Sequence, residues 1–239
     1  MRPELGSKIL DVGSGLGQLT QMLLDVAGAG ASCVAVEADD RQLAFARTHM
    51  PKTGPVPDYR QGSALQLPLA ADERGTFDVA HTRFLLEHVQ TPSAVVKEMK
   101  QALRPGGRIW LADDDHQAMT LFPVPEGFPE LWTAYMDAFI EIGCDPFIGR
   151  KLHRLLMDQG FEQIHIDTVF FGDCAGTESF AGFTRNLIEV IGTARTVMTE
   201  NNLITGQAYE SAIGALQKWA ENRDAAIWYP LCIATGIKS

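Results

Sequence analysis

The feature that most limits what this chain can fold into is the run Leu10-Asp11-Val12-Gly13-Ser14-Gly15-Leu16-Gly17. Lys8–Val12 is a short apolar run leading into three glycines, and residues 18–26 follow with Leu19, Met22, Leu23 and Val26 at helical spacing. A strand, a glycine turn and a helix in that order open a parallel α/β sheet. Glycine lets the backbone turn tightly and come close to a ligand, and the first N–H groups of the following helix point the same way. Any nucleotide-type ligand could use such a turn, so the spacing has to narrow the choice. A dinucleotide fingerprint is G-x-G-x-x-G, but counted from Gly13 its last position falls on Gln18. The chain carries G-x-G-x-G instead, preceded by Asp11. A carboxylate there has a use if the ligand carries an ammonium group and none beside a pyrophosphate, so a nicotinamide oxidoreductase is disfavoured.

The alternation continues. Residues 32–36 read as a second strand, Asp40–His49 as a helix with Leu43, Ala44 and Arg47 at helical spacing, Asp58–Gln61 as a third strand and residues 77–81 as a fourth. Residues 91–103 read as a helix, with Thr91 as N-cap and Pro92 at its first position. Arg104-Pro105-Gly106-Gly107 stops it, and residues 108–112 form the fifth strand. Strands and helices linked this briefly predict a doubly wound, mostly parallel sheet with ligands at the carboxyl ends of its strands. Glu37, at the end of the second strand, can accept hydrogen bonds from ribose hydroxyls there; the bland alternative is a solvated acidic loop, Glu37-Ala38-Asp39-Asp40.

The second half differs. Residues 129–142 predict an aromatic-rich helix with Leu131, Trp132, Tyr135, Met136, Phe139 and Ile140 on one face. Residues 150–159 predict another helix closed by Gly160, residues 161–171 a sixth strand and residues 225–235 a seventh. Between those two strands, residues 178–199 and 206–221 read as amphipathic helices. One carries Phe180, Phe183, Leu187, Val190, Ile191 and Val197, the other Tyr209, Ile213, Leu216 and Trp219. Both faces must be buried, and two arrangements are open: a lid over the carboxyl end of the sheet, or a homodimer interface. The expected organisation is one domain over 1–239, with a cofactor-binding half at 1–118, a substrate half at 119–239 and the insertion at about 177–222. The chain starts about one turn before the first strand, so these helices are expected to replace N-terminal covering helices, unless the sequence is a fragment.

Net charge is −10, with 20 basic and 30 acidic residues, and no run of Lys and Arg offsets it. A polyanion is repelled at long range, which favours a small-molecule partner over nucleic acid. No apolar run approaches the roughly 18–20 residues of a membrane span, and residues 1–10 lack a signal-peptide core, so a cytoplasmic setting is expected. Cys33, Cys144, Cys174 and Cys232 form no C-x-x-C pair and predict reduced, mostly buried thiols. No metal site is expected, although the triple acid Asp113-Asp114-Asp115 could hold a divalent ion.

Taken together, residues 10–17, Glu37, Gly62-Ser63-Ala64 and Leu103-Arg104-Pro105-Gly106-Gly107 resemble the class I S-adenosylmethionine-dependent methyltransferases. The stretch Arg83-Phe84-Leu85-Leu86-Glu87-His88-Val89 is similar to the ubiquinone/menaquinone-type, small-molecule branch. The resemblance covers about residues 8–115 and implies a seven-stranded, Rossmann-like methyltransferase fold with a helical cap between the last two strands. It implies S-adenosylmethionine as cofactor, S-adenosylhomocysteine as product, and in-line methyl transfer to oxygen, nitrogen or carbon of a small molecule. The alternative is a cofactor-binding module acting as a sensor or partner.

Residue by residue, Gly13, Ser14 and Gly15 would line the methionine portion, with Asp11 near its amino group. Glu37 would bind the ribose and Ala38 flank the adenine. Ser63 and Ala64 would hold the adenine edge and Leu65 pack on the ring; the family often has an acid where Ser63 stands. His81, Thr82 and Arg83 would fall beside the methionine carboxylate and sulfonium, and Arg83 either pairs with that carboxylate or forms a surface salt bridge. His88 reads as a helix-end residue before it reads as a catalyst. His116 is the candidate base, with the acidic cluster orienting its ring, against the alternative of a solvated acidic loop. Trp132 and Tyr135 are either core or acceptor-pocket lining. No Asn-Pro-Pro-Tyr type sequence follows the fourth strand, and there is no Pro-Cys nucleophile.

Overall fold

The computed structural model describes residues 2–49 and 55–239. In chain order its main elements are β1 (Lys8–Val12), α1 (Gln18–Ala27), β2 (Ser32–Glu37), α2 (Asp40–His49), β3 (Asp58–Gln61), β4 (Phe77–Arg83), α3 (Pro92–Ala102) and β5 (Leu103–Asp114). Then come β6 (Thr120–Phe122), α4 (Phe128–Glu141), α5 (Leu152–Asp158), β7 (Phe161–Cys174), α6 (Phe180–Thr193), α7 (Arg195–Glu200), α8 (Gly206–Ala220) and β8 (Ala226–Lys238). The chain divides into two compact units. The first is Met1–Asp113, Ile148–Asp167 and Cys232–Ser239; the second is Asp114–Phe147 and Thr168–Leu231.

In the first unit the strand order is β3-β2-β1-β4-β5-β8, with β7 paired to β8. The pairs among β1 to β5 are parallel. The order reverses direction at β1 and β4, the switch point where such sheets open a crevice. Side chains alternate between the two faces. Leu10, Ile109 and Leu111 pack with Val95, Val96 and Met99 of α3 and with Leu152 and Leu156 of α5. Their neighbours Ile9 and Trp110 pack with Leu23, Leu24 and Ala27 of α1. Strands apolar on both faces need helices on both, which is what makes the sheet doubly wound. Each fully buried Leu, Ile or Phe contributes about 1.5–3 kcal/mol to holding the layers together.

Several sequence expectations are corrected here. The buried face of α1 is Thr20, Gln21, Leu23, Leu24 and Ala27, while Met22 and Val26 are 62% and 41% exposed. The reason is polar: the Thr20 hydroxyl donates to Asp11 at 2.6 Å, which turns this helical face inward. On α2 the buried residues are Leu43 and Ala46, not Ala44 or Arg47. Thr91 gives α3 no side-chain cap, so the start of that helix rests on Pro92. Residues 104–107 belong to β5 as an irregular entry, where pairing jumps from Phe77–Leu103 to Val79–Arg108. At Gly107 a side-chain carbon would lie 2.9 Å from the carbonyl oxygens of Arg104 and Phe77, so only glycine fits. All four cysteines are free, but Cys174 is exposed and only Cys33 is fully buried, with burial pushing its thiol up.

The second unit has its own core. Leu131, Trp132, Tyr135, Ala138 and Phe139 of α4 pack with Phe180, Leu187 and Ile191 of α6, Met198 of α7, and Tyr209, Leu216 and Trp219 of α8. Ile140 is left out at 52% exposed. The inserted helices thus bury much of their apolar faces against one another and against α4 within one unit. The expected 178–199 helix is broken at Ala194. Gly192 and the Thr193 hydroxyl, which donates to the Val190 carbonyl at 2.7 Å, weaken the ladder there. An eighth, unexpected strand, β6, pairs antiparallel with Ala226, Ile227 and Trp228 of β8. No helix among the described residues is long and apolar enough to cross a membrane.

Candidate active site

The candidate cofactor site lies wholly in the first unit, at the carboxyl ends of its strands. Val12 sits opposite Val36 on one side and Thr82 on the other, and Thr82 opposite Leu111, so the ends of β2, β1, β4 and β5 are level. The chain leaves β1 through Gly13, Gly15 and Gly17, all at positive φ (75°, 55° and 83°), a region L side chains rarely adopt. The N–H groups of Gly13 and Ser14 both donate to the Val36 carbonyl, at 2.8 and 3.1 Å, which ties the turn to β2.

Glu37 completes that tie. One carboxylate oxygen accepts from the Gly15 N–H at 2.9 Å; the other accepts from the N–H groups of Ala38 and Asp39 at 2.8 and 2.9 Å. Three charge-assisted bonds hold the Glu37 carboxylate in place, while Ala38 and Asp40 are exposed. Gly62, after β3, donates to the Glu37 carbonyl at 3.0 Å, which brings Ser63 and Ala64 to the same edge. The Ser63 hydroxyl accepts from the Leu65 N–H at 3.2 Å, and the Leu65 side chain is 45% exposed. Arg60 clamps this loop from below. Its guanidinium donates to both oxygens of Glu73 at 2.7 Å and to the Pro68 carbonyl at 3.0 Å. That bidentate pair holds the Glu73 carboxyl down to about 2.

Asp11 is buried beneath the turn, with one oxygen accepting from Thr20 and the other 3.0 Å from His81 Nδ1. Its carboxylate is therefore committed to fixing α1 and β4 under the glycines. Thr82, which follows His81 in β4, is fully buried and its hydroxyl has no partner; nor has the buried Ser14 hydroxyl. Arg83 is exposed and stacks over the Phe84 ring, 5.1 Å from its centroid, rather than in a surface salt bridge. Phe84 itself sits at φ 54°, a conformation that needs support from its surroundings. Asp113 supplies it. Fully buried, Asp113 accepts from the N–H groups of Leu85 and Leu86 at 3.2 and 2.8 Å. His88 is exposed and pairs with the adjacent Glu87 at 3.3 Å, the local role expected of a helix-end residue.

In the second unit His116 is 3% exposed, and Asp114 and Asp115 are buried too, which overturns the solvated-loop alternative. The His116 N–H donates to the Pro146 carbonyl at 3.0 Å, and the Trp132 indole donates to the His116 carbonyl at 2.7 Å. Trp132, Tyr135 and Phe139 meet the imidazole edge to face at 5.4, 5.5 and 5.4 Å. Trp132 and Tyr135 are therefore core residues that also wall the candidate base. Tyr229 of β8 lies 2.6 Å from His116 Nδ1 and donates to Asp114 at 3.0 Å. Sequence reasoning missed Tyr229, because nothing in an apolar strand marks a residue so far along the chain as a partner of His116.

Residues 10–111 match the family model described as a methyltransferase domain. The match covers under half of the chain, and the fold is shared with solved methyltransferases. A ubiquinone biosynthesis O-methyltransferase of Pseudomonas aeruginosa is 36% identical over 107 residues, 45% of this chain and 44% of that protein. The chain thus matches under half the length of that relative. Phosphoethanolamine N-methyltransferase 2 of Haemonchus contortus superposes with a TM-score of 0.56 at 18% identity, over 100% of this chain and 50% of that one. The YcgJ protein from Bacillus subtilis gives 0.58 at 14% identity, over 100% of this chain and 94% of that one.

Proposed function

We propose that this protein transfers a methyl group from S-adenosylmethionine to a hydroxyl of a small molecule, with His116 as general base. The observation that carries the cofactor assignment is the cradle at the end of β1. Gly13 and Gly15 hold positive φ, the ideal Cβ of Gly15 meets only the tip of Gln42, at 3.3 Å, and the buried hydroxyls of Ser14 and Thr82 have no partner. Unpartnered buried hydroxyls cost free energy unless a ligand satisfies them. The residues fit the cofactor: Gly13, Ser14, Gly15 and Thr82 around its methionine end, Glu37 and Ala38 at the ribose, and Ser63, Ala64 and Leu65 at the adenine. Arg83 would pair with the carboxylate. When bound, the cofactor supplies an activated sulfonium methyl and leaves as S-adenosylhomocysteine.

The chain's own residues then have to orient the acceptor, exclude water and take one proton. A neutral amine needs no strong base, whereas a hydroxyl does, and a walled imidazole in the second unit favours the hydroxyl. The Pseudomonas relative, an O-methyltransferase, points the same way. That match stops at the first half, so the acceptor is assigned by chemistry alone. On this reading residues 1–118 bind the cofactor and 119–239 the acceptor, in a cytoplasmic setting. The net charge of −10 supports a small molecule over nucleic acid. Calorimetry with S-adenosylhomocysteine tests the first part, with saturable binding at one site expected. Transfer of labelled methyl to a panel of simple phenols and alcohols tests the second. Binding without transfer to any of them, or transfer only to amines, would overturn the hydroxyl assignment.

A further inference from the structure

Glu37 does not have room for a whole ribose. An ionised carboxylate offers about four lone-pair positions, two on each oxygen. One Glu37 oxygen accepts from both Ala38 and Asp39, at 2.8 and 2.9 Å, and is full. The other accepts from the Gly15 N–H at 2.9 Å and has one position left. A ribose brings two neighbouring hydroxyls, each with a proton to donate. One of them fits on Glu37. The other needs a second acceptor, because a hydroxyl taken from water without one costs free energy.

That acceptor stands at the same turn. A side-chain carbon on Gly15 would lie 3.3 Å from the Gln42 amide oxygen, so Gln42 overhangs the residue whose N–H Glu37 holds. Its place there is fixed by α2. The N–H groups of Arg41 and Gln42 both donate to one Asp39 oxygen, at 2.8 and 3.2 Å, which anchors the start of the helix. Leu43 and Ala46 are buried with Ala35 and Tyr59, which fixes the helix rotation and leaves Gln42 exposed. Among the described residues nothing bonds to the Gln42 side-chain amide.

We propose that Gln42 binds the ribose together with Glu37, each accepting from one of its two hydroxyls. This rests on the reading of the turn as the cofactor site. An amide suits the task for a reason of charge. A second carboxylate beside Glu37 would repel it, whereas a neutral amide accepts without adding charge. Recognition then depends on both hydroxyls, so a ligand with a deoxyribose is selected against.

The test is calorimetric and needs no acceptor substrate. The full chain is titrated with S-adenosylhomocysteine and with its 2′-deoxy and 3′-deoxy forms. In the wild type both deoxy forms are expected to bind more weakly than the parent. Gln42→Met, which keeps the length of the side chain but not its amide, is expected to bind the parent roughly three- to tenfold more weakly. For the deoxy form that lacks the hydroxyl held by Gln42, that loss should vanish, and wild type and variant should bind alike. Gln42→Leu takes its place if Gln42→Met fails to fold. A variant that binds the parent as tightly as the wild type overturns the proposal. So does one that weakens all three ligands equally, which would make Gln42 a prop of the turn, or a wild type indifferent to the loss of either hydroxyl. In each of these cases wild-type binding of the parent keeps the cofactor reading intact. A wild type that binds none of the three sinks that reading, and the assignment of Gln42 with it.

Discussion

In the first unit the carboxylates and turn amides at the strand ends are held by partners on the next strand, in the same turn or on the helix that follows it. Gly13 and Ser14 reach Val36, Glu37 reaches back to Gly15, and Asp11 reaches Thr20 and the neighbouring strand's His81. In the second unit the candidate base is set by side chains drawn from further along the chain: Trp132 of α4 and, 113 residues beyond His116, Tyr229 of β8. One site is built from backbone geometry, the other from packing. A backbone site tolerates change at its rim but not in its glycines. A packed site depends on residue identity at every wall, and different packings can serve different acceptors. The family match has the same boundary: it ends at residue 111, before the second unit begins.

This contrast orders the expected effects. The largest is at Gly15. A β-branched residue at φ 55° is strained by about 1–3 kcal/mol, and its side chain would enter the cradle. Gly15→Val is expected to keep its circular dichroism spectrum and to lose S-adenosylhomocysteine binding by calorimetry. A folded variant that binds normally would place the cofactor elsewhere. Next is His116→Asn, which removes the base and none of the residues assigned to the cofactor. Turnover is expected to fall by about 10²–10⁴-fold with cofactor affinity unchanged. Equal losses in both would mean that the two regions are not separable as argued.

Glu37→Ala should be milder than either. It removes three charge-assisted bonds to backbone N–H groups and the proposed ribose contact. The ribose bond alone is worth about 1.5–3 kcal/mol, so affinity is expected to fall at least about tenfold. Glu37→Gln should recover part of it, because an amide oxygen can still accept from Gly15. An unchanged dissociation constant in Glu37→Ala would remove Glu37 from the site.

What the sequence disclosed follows the same division. Glycine spacing, the acid after the second strand and the alternation of apolar runs made the first five strands legible, since each signal is local. The α1 face was misread because Thr20, a polar residue, is taken inside by Asp11. Periodicity of apolar residues cannot register a buried hydrogen bond. The triple acid was ambiguous for a related reason. Asp113 is spent on the Leu85 and Leu86 amides and Asp114 on Tyr229, and three adjacent acids read alike until their partners are known. The aromatic face of α4 was legible as a face, but not the fact that its centre is an imidazole.

The smallest expected effect separates the two regions by pH. Arg60 holds the Glu73 carboxyl down to about 2, and the pair pins the loop that carries Ser63, Ala64 and Leu65. A carboxylate with a lowered folded-state pKa adds stability that is present above its unfolded value of roughly 4.3. That stability is lost as pH falls through the folded value. The Arg60 pair is therefore intact at neutral pH and weakens between about pH 4 and pH 2. Glu73 keeps one-fifth of its side-chain surface in water, so screening makes the contribution modest, of the order of 1 kcal/mol at most. Arg60→Ala at neutral pH should speed hydrogen exchange at the Ala70 amide, which donates to Glu73 at 2.8 Å. It should also weaken S-adenosylhomocysteine binding by no more than a few fold. The hydrogen bonds of Tyr229 in the second unit should be unmoved by that substitution. A change in hydrogen exchange at the Trp132 indole, which donates to the His116 carbonyl, on replacing Arg60 would show that the backbone-built and side-chain-built regions are coupled, and that the division between them does not hold.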